Sequence, residues 1–159
     1  MTAELSRSAR RIQEVLASLG TACEVVELPS STRTAVEAAL AIGCAVEQIA
    51  KSLVFRTVKE KKPIMVIASG GKRVNEGRIA EVVGEPIEKA DAAYVREKTG
   101  FAIGGVPPIG HTEPMYTIID EDLVKLGEVW AAAGTPHSVV KLSAVSLLEM
   151  TAGTVKSMR

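Results

Sequence analysis

Aromatic side chains are scarce in this 159-residue chain: they make up 3% of it, against 47% hydrophobic residues in all. The core must therefore be built from Val, Ile, Leu and Ala. A surface of stacked bases would have only Phe55, Tyr94, Phe101, Tyr116 and Trp130 to draw on, which weakens that mode of nucleic-acid binding. Cysteine is scarce too. Cys23 and Cys44 stand far apart and in no C-x-x-C pattern, which argues against a disulfide framework or a thiolate zinc site and leaves buried free thiols as the expectation. No apolar run reaches the roughly 18 residues of a membrane span. The opening MTAELSRSARR puts charges where a signal peptide needs an apolar stretch, so a cytoplasmic location and no membrane partner are expected.

Charge of one sign is also missing, because 19 basic residues balance 19 acidic ones. Global electrostatics therefore do not point to nucleic acid, but the distribution is uneven. Residues 51–78 hold eight basic side chains against two acidic ones, and residues 113–128 hold five acids and one lysine. A protein that grips only the end of a nucleic acid needs such a local patch; a solvated charged face is the plainer alternative.

The usual hydrolytic signatures are absent. There is no G-x-S-x-G elbow and no H-E-x-x-H, and His111 and His137 are the only histidines, so neither a serine triad nor a metal ligand set can be assembled from motifs. No metal and no cofactor are expected. The stretch SGGKR at 69–73 lacks the spacing of a nucleotide phosphate loop and reads as a tight turn, with a non-specific phosphate contact as the remainder.

What is present fits one domain spanning 1–159, long enough to bury roughly two-thirds of its unfolded surface. Leu5, Ile12, Val15, Leu16 and Leu19 recur at helical spacing over 4–19 and stop at Gly20. Further helices open at Thr34, Asn75, Asp91 and Ser143, each a residue type that caps helix N-termini. In the last helix, Val145, Leu148 and Leu147 are expected to face inward. Strands are expected at 23–28, 53–58, 64–68, 87–89, 101–103, 116–119, 128–132, 138–142 and 154–156, with Lys51 at a helix-to-strand junction. Hairpin-length connections mixed with single helices predict an α+β fold with a mixed, curved sheet surrounded by helices.

The most distinctive stretch is 98–116, KTGFAIGGVPPIGHTEPMY, with four glycines and three prolines in nineteen residues. Glycine allows close approach to the backbone and proline stiffens the path, so the loop is suited to presenting backbone N–H groups as a preset anion or oxyanion site. Gly104, Gly105 and Val106 are the candidate donors, since Pro107 and Pro108 have no N–H. A loop rigid for folding alone is the alternative.

Three motifs in order, IAKSLVF at 49–55, TGFAIGGVPPIG at 99–110 followed by TIID at 117–120, and AAGTPHSVVKL at 132–142, resemble the YbaK and prolyl-tRNA synthetase-associated domain family over nearly the whole chain. The resemblance implies a six- or seven-stranded sheet curling towards a barrel and hydrolysis of the ester of a mischarged tRNA. The implied partners are the acceptor end of an aminoacyl-tRNA and, as a further class, an aminoacyl-tRNA synthetase. It implies that the loop at 104–108 lies against the terminal ribose and ester, and that Lys51 serves substrate binding and catalysis. On this basis Lys51, Gly104, Gly105 and Val106 are candidate catalytic residues, and Phe101, Pro107, Pro108, Gly134 and His137 candidate substrate-binding ones. His111 ranks lower.

Some relatives that act on cysteine carry an acid where this chain has Val139 or Val140, so the favoured substrate is an ester of a small non-cognate amino acid such as alanine, serine or cysteine. Because no synthetase catalytic domain fits in 159 residues, a free-standing enzyme is expected. The competing readings are a non-catalytic RNA-binding or synthetase-accessory module and a small-molecule esterase.

Overall fold

A computed structural model describes residues 5–158; Glu4, with which the first helix was expected to begin, lies outside them. The chain runs α1 (Arg7–Ser18), β1 (Val25–Glu27), α2 (Ala35–Ile42), β2 (Ile49–Thr57), β3 (Pro63–Ser69), α3 (Glu76–Val83), β4 (Ile87–Lys89), α4 (Ala92–Thr99), β5 (Tyr116–Asp120), α5 (Glu121–Val124), β6 (Glu128–Ala132), β7 (Ser138–Ser143), α6 (Ala144–Thr151) and β8 (Thr154–Lys156).

The helices begin where short polar side chains can take up free N–H groups. Ser6, Thr34, Asn75, Asp91 and Ser143 each accept from a backbone N–H three residues on. Three of these helices end on a left-handed glycine, at Gly43, Gly84 and Gly100. α5 is an element that periodicity over four residues could not reveal; it is capped by the side chain of Asp120.

All eight strands join one mixed sheet in the order β1-β7-β6-β2-β3-β5-β8, with β4 added beside β2. The pairs β2–β6, β3–β5 and β5–β8 are parallel and the others antiparallel. This is the expected α+β class with one or two strands more than the resemblance implied. β3 is buried from Ile64 to Ser69, as a strand covered on both faces must be. On one face Ala9, Ile12 and Leu16 of α1 pack with Met65, Ile67, Ile119 and Leu142; on the other, Phe55, Ile64, Val66 and Ile118 pack with Ile79 of α3. A third cluster, Ala38, Ala39 and Ile49, seats α2 on the start of β2.

Several expectations change. Residues 101–103 form no strand: Thr99 Oγ1 accepts from the Phe101 N–H at 3.0 Å, so that amide is satisfied locally rather than by a sheet edge. β2 starts at Ile49, because Ile49 and Ala50 pair with Trp130 and Ala131, and Lys51 therefore lies inside the strand opposite Ala68 instead of at a junction. Val145 faces solvent while Leu147 is buried and Leu148 half-buried, since α6 packs through Ala144 and Leu147. Leu19 is likewise exposed. Cys23 and Cys44 are free but only half-buried, and that burial pushes both thiols up.

Candidate active site: two cavities sharing a wall

β2 carries IAKSLVF across the sheet with side chains alternating between faces, which puts Lys51 and Leu53 on one side and Ser52 on the other. The loop after α4 folds over this strand. Lys51, Ser52, Leu53, Ile103, Gly104 and Val106 then form a wall common to two cavities, of about 390 and about 550 Å³. Ala35 and Ala38 of α2, Ala131 and Ala132 of β6, and Val139 of β7 help line the smaller cavity, whose walls are mostly apolar. The larger is lined by Phe55, Val74 and Val95, with Arg73, Glu76 and Lys89 among its charged residues.

The loop is pinned from behind. The Gly105 N–H donates to the Ala102 carbonyl at 3.0 Å, and the Gly105 carbonyl accepts from the Gly134 N–H at 3.0 Å. A Cβ on Gly105 would lie 2.8 Å from the Thr135 backbone, so only glycine fits. Gly104 sits at φ +91°, a left-handed conformation, with the Arg33 side chain lying across it. Val106 and Ile109 anchor the loop in the core. Of the three candidate donors Gly105 is thus committed within the loop, whereas the N–H groups of Gly104 and Val106 have no intramolecular partner among the described residues.

His111 closes the far end. Its Nε2 lies 2.6 Å from the Pro107 carbonyl, which can only accept, so the ring carries its proton on Nε2. Burial pushes this imidazole down from its ordinary value and outweighs the raising effect of that bond. A depressed pKa means that the folded state favours the neutral ring. The stabilisation is complete above about pH 6.5 and is lost as pH falls through the folded value. His111→Gln, which keeps a side-chain donor, is expected to flatten the decline of Tm between about pH 7 and 5 relative to wild type; parallel Tm curves for the two proteins would remove His111 as a source of that dependence.

Lys51 Nζ donates to the Lys72 carbonyl at 2.6 Å, and burial pushes this ammonium down. Ser52 Oγ is buried and has no hydrogen-bond partner among the described residues. The basic run at 51–78 dissolves largely into ion pairs: Arg56 and Lys61 with Glu88, Lys62 with Glu60, Arg78 with Glu81, and Lys72 with Asp120 and Asp122. Arg33, Arg73 and Lys89, which line the cavities, have no carboxylate partner within ion-pair distance among the described residues.

The structure therefore gathers Lys51, Gly104 and Val106 around one wall with Gly105 directly behind. Phe101, Pro107, Pro108, Gly134 and His137 line neither cavity. Phe101 is a core anchor, and Pro107 and Pro108 are buried within the loop. Gly134 fits tightly against Ser8 of α1, and His137 faces solvent with Nδ1 3.2 Å from the Ser30 carbonyl. Sequence analysis did not single out Arg33, Ser52, Ile103 or Trp130 as site residues. Ser52 and Ile103 lay inside quoted motifs, IAKSLVF and TGFAIGGVPPIG; Arg33 and Trp130 carry no local signal.

A sequence profile described as "Aminoacyl-tRNA editing domain" matches residues 29–150. The chain belongs to the aminoacyl-tRNA editing domain family. Its similarity extends to protein YwhH of Bacillus subtilis, an uncharacterized protein, at 30% identity over 126 residues, covering 79% of this chain and 80% of that one. The proline–tRNA ligase of Limosilactobacillus fermentum is 34% identical over 91 residues, a match that covers 55% of this chain and 16% of the ligase. Among solved structures, a candidate trans-editing enzyme for prolyl tRNA synthetase superposes with a TM-score of 0.92 at 47% identity, over 98% of this chain and 99% of the other. The hypothetical protein APE2540 has a TM-score of 0.86 at 27% identity, over 92% and 97%.

Proposed function

We propose that this editing domain is a trans-acting deacylase that hydrolyses the ester of a tRNA mischarged with a small amino acid. The observation that carries it is the shared wall, where the Lys51 ammonium and the unengaged N–H groups of Gly104 and Val106 lie between two cavities. An aminoacyl ester has two dissimilar halves, an amino acid and a terminal nucleoside, and its reacting carbonyl lies between them.

Water attacks the carbonyl carbon, the developing oxyanion is met by the ammonium and the loop N–H groups, and the ribose oxygen leaves with a proton derived from that water. No side-chain nucleophile is required, because one preset oxyanion donor is worth about 3 kcal/mol of barrier in other hydrolases. The smaller cavity suits the amino acid: Ala35, Ala38, Ala131, Ala132 and Val139, which help line it, are short and apolar. Arg33, Arg73 and Lys89 at the cavities are free to meet phosphates of the incoming 3′ end.

The test is single-turnover deacylation of tRNAs charged with alanine, serine or cysteine, alongside the matching simple amino-acid esters and with a chelator present. Hydrolysis of at least one aminoacyl-tRNA, undiminished by chelation and much faster than that of its simple ester, is the expected result. Tight binding of every charged tRNA with no turnover would mark a non-catalytic module. Equal rates on simple esters would mark a small-molecule esterase.

A further inference from the structure

Asp120, the last residue of β5, is fully buried. Its carboxylate accepts from the Ser69 N–H at 3.1 Å and the Asp122 N–H at 3.0 Å, and lies 3.5 Å from Lys72 Nζ. Lys72 Nζ also pairs with Asp122. One neutral acceptor would suffice to cap a four-residue helix such as α5, so capping alone leaves this clamp unexplained. What the clamp grips is the turn at 69–72, closed by the Lys72 N–H donating to the Ser69 carbonyl at 3.0 Å. The carbonyl of that same Lys72 takes the Lys51 ammonium at 2.6 Å.

We propose that Asp120 and Lys72 are positioning residues that hold the Lys51 ammonium at the wall between the cavities, through the 69–72 turn. The proposal rests on the role of Lys51 stated above. A lysine has a long flexible stem and three equivalent donors, so its head settles where a fixed acceptor directs it. The Lys72 carbonyl takes one N–H and leaves two for substrate. That carbonyl is fixed because both ends of its turn are tied to one buried carboxylate, Ser69 through its amide and Lys72 through its ammonium. Sheet order makes the connection short: β2, β3 and β5 are neighbours, and Lys51, Ser69 and Asp120 lie at the same end of them. TIID at 117–120 and SGGKR at 69–73, two sequence features with no part in the oxyanion site, thereby acquire one.

Lys72→Met separates this role from helix capping, because it removes the ammonium and leaves the Lys72 carbonyl, the Asp122 cap and the Ser69 bond in place. In the full chain, Lys72→Met is expected to lower kcat about tenfold with KM within about twofold of wild type, while Lys72→Arg, which keeps a cation for Asp120, restores most of the rate. In a Lys51→Ala background the same substitution is expected to change the rate by less than about twofold, since the group it positions is gone.

A readout independent of turnover is trace acylation of Lys51 Nζ with acetic anhydride, quantified by peptide mass spectrometry. Release from the Lys72 carbonyl is expected to raise Lys51 labelling about threefold or more. Unchanged labelling overturns the proposal, and so does a tenfold loss that persists in the Lys51→Ala background. If Lys51→Ala itself runs at the wild-type rate, the catalytic role of Lys51 falls, and labelling still decides whether the strut exists. Asp120→Asn should reproduce the labelling change if it folds; the Lys72 variants decide the matter if it does not.

Discussion

Lys51→Ala is expected to lower single-turnover deacylation at saturating enzyme by about 100-fold or more while leaving the protein folded, with Tm within a few degrees of wild type. The two halves of this expectation come from one observation. Burial pushes the Lys51 ammonium down, so the folded state disfavours its charge. The sign is that of a depressed group: its stabilising effect is present above about pH 10.4, and is lost as pH falls through the folded value, so at neutral pH the charged lysine works against the fold. Removing it forfeits one hydrogen bond to the Lys72 carbonyl, at about 1 kcal/mol, and relieves that desolvation.

A charge kept at a cost to the fold is a mark of function, and the cavity wall is where it is kept. The form of the loss identifies the contact. A phosphate-binding lysine would change affinity and flatten the salt dependence by roughly one counterion, whereas one acting on the oxyanion depresses the rate at saturation. The second pattern is expected, with poor rescue by Lys51→Arg because a planar fork does not replace a compact ammonium. A folded Lys51→Ala protein with an unchanged rate would refute the assignment.

The second large effect is at Gly105. Residue type alone suggests that alanine at 104 or 105 harms rate more than stability; the structure separates the two positions. A Cβ on Gly105 meets the Thr135 backbone at 2.8 Å, and backbone held between two strands cannot move aside. Gly105→Ala is therefore expected to cost about 2 kcal/mol or more and to displace the loop, losing activity and stability together. At Gly104 the one contact under 3.0 Å is with Arg33 Cγ at 2.7 Å, a side-chain atom that a change of rotamer can move, so the expected cost is that repacking on top of about 1–2 kcal/mol for a left-handed alanine. Gly104→Ala should fold and lose rate beyond what its stability explains, through crowding of the wall. Urea midpoints beside single-turnover rates check both, and a Gly105→Ala midpoint equal to wild type would contradict the packing argument.

Local chemistry by itself makes much of this protein legible. Thr34, Asn75, Asp91 and Ser143 are of the residue types that cap helices, and each caps the helix that it opens; Ser6, which caps α1, is a fifth that the sequence pattern did not mark. Capping satisfies N–H groups three residues away, so its signal lies within a short window. The same holds for strands such as 64–68 and 128–132, whose composition is enough. The strand expected at 101–103 failed because a strand exists only where an edge is there to pair with, and here Thr99 Oγ1, two residues away, takes the Phe101 N–H instead.

The site divides along the same line. Glycines, prolines and the lysine of the K-S-L motif declare by residue type alone that the chain has a rigid loop and a lysine near a strand start, and the motifs carry the family. Residue type cannot say which N–H in the loop is already spent, and Gly105 is spent on Ala102. Nor can it bring Arg33, Lys89 and Trp130 to the cavities, because those residues, one just before α2 and the others on β4 and β6, come together only when these segments pack around β2. His137 shows the converse: a polar residue in a matched motif that the β6–β7 turn carries out into solvent. Sequence by itself determined most of the elements, the caps at Thr34, Asn75, Asp91 and Ser143, and the family, since these depend on contacts within a few residues. Tertiary structure decided which groups share a wall, which donors remain free and what holds Lys51, since those depend on strand order.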